Sequence, residues 1–261
     1  MELHERGMLD QVLVLSRFHA RTLPARALPW TSVLPNAMTD TFFKDGPNEW
    51  SEFIYASSPN RGLEQLLAMW PALRGALGAA ARLRVYYGFS PRFLKWGRGN
   101  FEGGQHAFES WVAMMRSKLD VLRDDGVEYH GMVGHDELAR AYARAGFFLY
   151  PTSFSETGCI ALMKAMAMGA IPITSRLAAS SLPDLASEWD LGPPADTPDG
   201  RTRLPRDDPA FLAQFTDAVL AAVRRAQAGA LDDLRARMKR WARSELLWSA
   251  SARTLVRLAQ P

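Results

Sequence analysis

The sequence predicts an α/β protein, a Rossmann-like doubly wound parallel sheet, on three observations. From residue 53 onward short apolar runs alternate with stretches of helical periodicity; one run, Phe147-Phe148-Leu149-Tyr150, has no polar interruption; and polar, glycine-containing turns join runs to helices. An uninterrupted apolar run suits a parallel strand covered on both faces, and a strand–helix–strand order closes with right-handed chirality.

The elements follow in order. Residues 11–16 read as a short buried strand, with Ser16 capping a turn of helix that begins Arg17-Phe18-His19. Between 23 and 40, Pro24, Pro29 and Pro35 break up short apolar runs, which predicts a linker leading to a turn at Pro35-Asn36. Strands are expected at 53–56, 82–87, 127–130, 147–150 and 171–174. Helices are expected at 62–70, 107–123, 136–145 and 157–168, the last stopped by Gly169. The glycine-rich stretch from Gly97 to Gly104 lacks the ending of a phosphate-binding P-loop and is read as a flexible connection flanking the ligand crevice. Residues 190–208 should form a loop, and 209–225 and 232–258 two terminal helical segments. The expected division is an amino-terminal remnant and linker at 1–35, a sheet domain at 36–208 and carboxyl-terminal helices at 209–261.

Composition narrows the class. A length of 261 residues gives one to two domains, and 48% hydrophobic with 23% charged residues excludes global disorder and fibrous repeats. Lysine plus arginine exceed aspartate plus glutamate by 31 to 28, a net charge of +3 that gives no argument for nucleic acid. The late cluster Arg224, Arg225, Arg235, Arg237, Lys239, Arg240 and Arg243 reads first as a solvated helix face and second as a contact with anionic lipid or a partner lobe. The single cysteine, Cys159, excludes an intrachain disulfide and suits a reducing cytosol, so a cytoplasmic location is expected. Residues 1–10 lack the apolar core of a signal peptide, and the apolar stretch 160–173 is interrupted by Lys164 and too short to span a bilayer. His19, His106, His130 and His135 share no metal-ligand spacing, and neither a metal nor a cofactor is expected.

In a doubly wound sheet, ligands bind beyond the carboxyl ends of the strands. Two loops there carry chemistry. Ser57-Ser58-Pro59-Asn60-Arg61-Gly62 sets an arginine at a helix start, where backbone N–H groups and the macrodipole attract phosphate; the alternative is a surface arginine beside an ordinary turn. Tyr150-Pro151-Thr152-Ser153-Phe154-Ser155-Glu156-Thr157-Gly158-Cys159 brings Glu156 to a helix mouth, able to accept from sugar hydroxyls or simply to favour the helix.

Taken together, these segments resemble the carboxyl-terminal domain of family 4 glycosyltransferases of the GT-B fold, over roughly residues 10–258. Val33-Leu34-Pro35-Asn36 resembles the turn that opens that domain, and Asn60-Arg61-Gly62 its phosphate-binding turn. Gly131 to Tyr142, including Glu137, Leu138 and Tyr142, resembles the segment that flanks the nucleotide base, with Gly131, Met132 and Val133 as the residues expected beside the base. Tyr150-Pro151-Thr152 with Glu156-Thr157-Gly158 resembles the donor-facing loop, Gly169-Ala170-Ile171-Pro172-Ile173 the strand after it, and the stretch from Trp241 to Leu258 the helix that crosses back to the first lobe.

The resemblance implies a retaining transferase whose donor is a nucleotide-diphosphate sugar. Glu156 would be the catalytic carboxylate; Arg61, Ser57, Ser58, Thr157, Gly158, Cys159, Ile160 and Lys164 would line the donor and its phosphates. Two departures stand out. Lys164 occupies the place of the family's second glutamate, about 80° around a helix from Glu156, and lysine only donates. Only about residues 9–22 resemble the acceptor lobe, and holding both reactants in geometry is worth roughly 7 to 11 kcal/mol. The expectation is therefore a donor-binding domain, its activity alone in question, with a separate acceptor lobe or an anionic membrane surface as partner. The rival reading is a non-catalytic scaffold.

Overall fold

The structure, a computed structural model, describes residues 6–186, 188–193 and 208–259. Five strands, β3 (Glu49–Ser57), β4 (Arg82–Tyr87), β5 (Val127–Gly131), β6 (Ala145–Tyr150) and β7 (Ile171–Thr174), form one parallel sheet in the order β5-β4-β3-β6-β7. The chain winds outward from β3 to one edge and returns to its other side at β6, so the strand order reverses between β3 and β6. In the two central strands Phe53, Ile54, Tyr55, Phe147 and Phe148 are all fully buried, as strands covered on both faces require.

A short unit precedes the sheet. β1 (Val12–Val14) leads into α1 (Arg17–Arg21), whose first turn is capped by the Ser16 hydroxyl accepting from His19 N–H. The expected linker also carries a strand, β2 (Thr31–Val33), which pairs in parallel with β1. Its prolines, Pro29 and Pro35, flank that strand rather than interrupt it, which leaves its N–H groups free to pair.

Helices α2 (Leu63–Leu77), α3 (Pro91–Asn100), α4 (Gly104–Val121), α5 (His135–Arg144) and α6 (Ile160–Met168) connect the strands. Two expectations are corrected here. The glycine-rich stretch is no flexible connection: α3 starts at Pro91 under a Ser90 cap and runs through Gly97 to Asn100. Gly97 serves packing, because a Cβ there would stand 2.1 Å from the Phe108 ring of α4. The helix expected from 157 begins at Ile160, with Cys159 as its cap residue, so Glu156 lies in the preceding loop and shares no helical face with Lys164.

After α7 (Leu182–Ala186) come α8 (Pro209–Gln227), α9 (Asp232–Glu245) and α10 (Trp248–Leu258). Most of the loop expected at 190–208 lies outside the described residues. The helix expected at 232–258 is broken at Leu246 and Leu247, where Met38 N–H donates to Leu246 O and Trp248 N–H to Met38 O. Phe215 and Val219 of α8 and Met238 of α9 belong to the same core as the sheet. Trp70 is fully buried, whereas Trp248, at the start of α10, is 57% exposed.

The late basic cluster is not wholly a solvated face. Arg235 donates to Gly169 O and Arg243 to Ala167 O, supplying donors to carbonyls at the end of α6, while Lys239 and Arg243 both hold Asp45, whose pKa their hydrogen bonds lower to about 2. Among the described residues no helix is long and apolar enough to cross a membrane.

Asn48 ties the start of the sheet to α6. It is buried, in the left-handed region at φ 45°, and its Nδ2 donates to Ala145 O at 2.9 Å and Met168 O at 3.0 Å. Asn48→Ala should therefore cost about 2 kcal/mol, since two buried carbonyls lose their donor. Asn48→Asp should be at least as damaging, because a carboxylate offers those carbonyls no proton. Urea denaturation measures both; an Asp variant as stable as the wild type would contradict the assignment.

Candidate functional site

The strand reversal leaves a hollow beyond the carboxyl ends of β3 and β6. It measures about 350 Å³ and is bounded by Ser57, Ser58 and Arg61 from the end of β3 and its following turn, Glu156 to Ala161 on the far side without Thr157, and Lys164 from α6. Its outer wall is Tyr87, at the end of β4, with Leu138 and Tyr142 of α5.

Gly62 sets how closely the two loops approach. Its φ of 100° lies in the left-handed region, and a Cβ would stand 2.4 Å from Pro151 O. The turn after β3 is thereby pressed against the loop after β6, and Arg61 reaches across to Glu156: Nη1 to Oε1 is 2.9 Å.

Glu156 is held from several sides. Tyr150 OH donates to the same Oε1 at 2.6 Å, and since that hydroxyl proton is committed, Ser57 Oγ donates to Tyr150 at 3.2 Å. The backbone is pinned by Ser181 N–H donating to Glu156 O. Both side-chain donors land on Oε1, so among the described residues Oε2 keeps its accepting capacity for a ligand. Burial holds the Tyr150 phenol well above the usual tyrosine pKa, so it remains a donor. Burial works against the charge of Arg61, but Glu156 together with the Tyr150 and Tyr55 phenols outweighs it, and its pKa is raised. The guanidinium also lies over the Phe154 ring, 3.8 Å from its centroid.

The start of α6 faces the hollow through Gly158, Cys159, Ile160 and Ala161, which brings first-turn N–H groups to its wall. Burial pushes the Cys159 thiol up to about 12, which leaves it protonated and unfit as a nucleophile. Gly158 also faces the amino-terminal unit: Asn36 Nδ2 donates to its carbonyl at 3.1 Å, and a Cβ would stand 2.9 Å from Leu15. Lys164 does not pair with Glu156; its ammonium sits 4.5 Å from the Phe42 ring centroid, and burial lowers its pKa.

Of the residues singled out in the sequence, Ser57, Ser58, Arg61, Glu156, Gly158, Cys159, Ile160 and Lys164 thus meet in one hollow. Thr157 is half-buried beside it without lining it. Gly131 ends β5 and Met132 and Val133 follow it, all three outside the lining; Met132 is 63% exposed and Val133 packs on the core. Leu138 and Tyr142, which the sequence placed in the base-flanking segment, and Tyr150, which it placed in the donor-facing loop, had no individual role there, and Tyr87 had no place in the resemblance at all. Tyr150 had one available signal, its place as the last residue of an apolar strand directly before the loop. Among the described residues, no group of three or more histidine, cysteine or acidic side chains is placed to hold a metal.

Gly62→Ala should cost about 2 kcal/mol, through a left-handed backbone and a clash with Pro151 O. Urea denaturation checks it, and unchanged stability would contradict the close approach of the two loops.

No curated protein matches the sequence. Among solved structures, sucrose-phosphate synthase from Thermosynechococcus elongatus is similar with a TM-score of 0.55 and 18% identity, over 97% of this chain and 59% of that one. Anabaena Alr3699/HepE in complex with UDP and glucose gives 0.65 and 10%, over 97% and 65%. A glycosyltransferase from Rickettsia africae gives 0.68 and 8%, over 98% and 65%. The chain thus spans about three-fifths of the length of these structures, which share its fold. The family model described as "Glycosyl transferases group 1" matches residues 53–221, well over half of the sequence and nearly all of the sheet. The chain belongs to the group 1 glycosyl transferases.

Proposed function

We propose that this chain is the donor-binding half of a retaining glycosyltransferase that uses a nucleotide-diphosphate sugar, the donor lying in the hollow at the strand reversal. The observation that carries the reading is the convergence of Arg61, Glu156 and the start of α6 on one cavity. Glu156 engages only one guanidinium nitrogen, so other Arg61 donors remain for a diphosphate, alongside the first-turn N–H groups of α6. Fixed donors of this kind stabilise the negative charge that gathers on the leaving diphosphate without a metal. Glu156 Oε2 accepts from the sugar hydroxyls, with the carboxylate held in place by Tyr150 and Ser57. The base extends toward Tyr87 and the turn at Gly131, Met132 and Val133.

The amino-terminal unit supports an acceptor lobe. A parallel pair of strands is normally covered on both faces, yet Leu13 of β1 and Val33 of β2 are exposed. We read β1 and β2 as the ground on which that lobe builds, within a longer chain or as a separate one. Lys164 favours the second reading, a scaffold that binds nucleotide without turnover, because it stands where the family places an acceptor and is turned to Phe42. A single buried thiol is compatible with a cytoplasmic setting for either.

The similarity to a structure holding UDP and glucose makes UDP the first probe. Calorimetry should show UDP binding that Arg61→Ala weakens about tenfold, the scale of one charge-assisted hydrogen bond. Undiminished affinity in that variant would remove Arg61 from the donor site. Hydrolysis of UDP-glucose by the isolated chain would argue against the scaffold reading, whereas binding without turnover would favour it.

A further inference from the structure

A second cavity, of about 390 Å³, adjoins the first and shares Ser58, Arg61 and Tyr87 with it. Its far side is α3, which contributes Arg92 and Trp96, one turn apart and both exposed. Phe154 of the loop after β6 faces them. Three large rings are left in solvent around this single hollow, Tyr87 and Trp96 at 44% exposure and Phe154 at 41%. Most aromatic rings of the described chain are packed into the core instead, and an exposed cluster of rings beside a cation marks a recognition surface.

The chemistry of the lining selects the ligand. Flat rings offer stacking area to the C–H face of a pyranose. Among the described residues no carboxylate lines this cavity, and its charged groups are Arg61 and Arg92. Arg61 is already engaged by Glu156 and stacked on Phe154, while Arg92 makes no ion pair among the described residues. The ligand that satisfies both features is a sugar ring with a negative substituent, which an arginine grips through paired N–H donors.

Building on the donor reading of the neighbouring hollow, we propose that this cavity takes the end of the acceptor that faces the donor, the rest lying on the acceptor lobe, and that this end is an anionic carbohydrate, its ring on Trp96 and its carboxylate or phosphate on Arg92. The shared wall brings such a ligand up to Arg61 and Ser58, beside the donor.

Saturation-transfer NMR on the full chain tests this with methyl glucuronoside, glucose 6-phosphate and uncharged methyl glucoside, each with and without excess UDP to fill the donor hollow. The expected result is contact to the charged sugars over the uncharged one, retained under UDP, lost in Trp96→Ala, and reduced in Arg92→Gln to the level of methyl glucoside. Preference for glucuronoside would identify a carboxylate acceptor, and preference for glucose 6-phosphate a phosphorylated one. Absence of sugar contact, displacement by UDP, or contact unaltered in both variants would overturn the proposal. UDP affinity, measured in parallel, should be the same in both variants as in the wild type, and its loss there would assign the cavity to the nucleotide instead. Sugar contact in a wild type that fails to bind UDP would unseat the donor reading, whereas UDP binding without sugar contact would unseat only the acceptor site.

Discussion

The reversal of strand order between β3 and β6 is the constraint from which the site follows. Two loops that leave adjacent parallel strands toward opposite sides of a sheet open a crevice between them, whatever their sequences. In this chain the crevice is narrowed by Gly62, whose missing Cβ admits Pro151 O, and the narrowing brings Arg61 within hydrogen-bond distance of a carboxylate 95 residues away. Phe53, stacked on Phe147 across the two central strands, and Trp70, edge-on to Phe53 from α2, keep that crevice in register from below.

The pair inside the crevice contributes little to stability by itself. The Glu156 side chain is 8% exposed and that of Arg61 30%, so both are partly withdrawn from water, a cost their attraction offsets only when further hydrogen bonds complete the shell. Tyr150 and Ser57 supply part of that shell at Oε1, while Oε2 and the remaining guanidinium donors are unspent. A charge pair satisfied on one side only is a poor structural bolt. It is a reasonable place for a ligand that brings phosphate to one partner and hydroxyls to the other.

Most of the fold was legible because its elements obey local rules. In β4, Leu83 and Val85 alternate with Arg82 and Arg84, and the strand was located to the residue; β7, bounded by Gly169 and a polar turn, was equally distinct. α3 was hidden by Gly97 and Gly99, which lower helix propensity; the need for Gly97 arises only when Phe108 packs on it, a tertiary fact. β2 was hidden by flanking prolines. In the site, loop positions at strand ends nominated Arg61 and Glu156, but their pairing, the hold of Tyr150 on Glu156 and the turn of Lys164 to Phe42 all join residues distant in sequence. The inward use of Arg235 and Arg243 was likewise invisible, since a basic helix face looks the same whether it meets water or the carbonyl end of another helix.

The central claim is that the hollow at the strand reversal receives a diphosphate on Arg61 and a hexose on Glu156. A crystal structure of the chain soaked with UDP-glucose tests it most directly. The account requires the diphosphate within hydrogen-bond distance of the Arg61 guanidinium and the first N–H groups of α6, with sugar hydroxyls at Glu156. Ligand bound elsewhere on the surface, with Arg61 and Glu156 still paired and untouched, would contradict it.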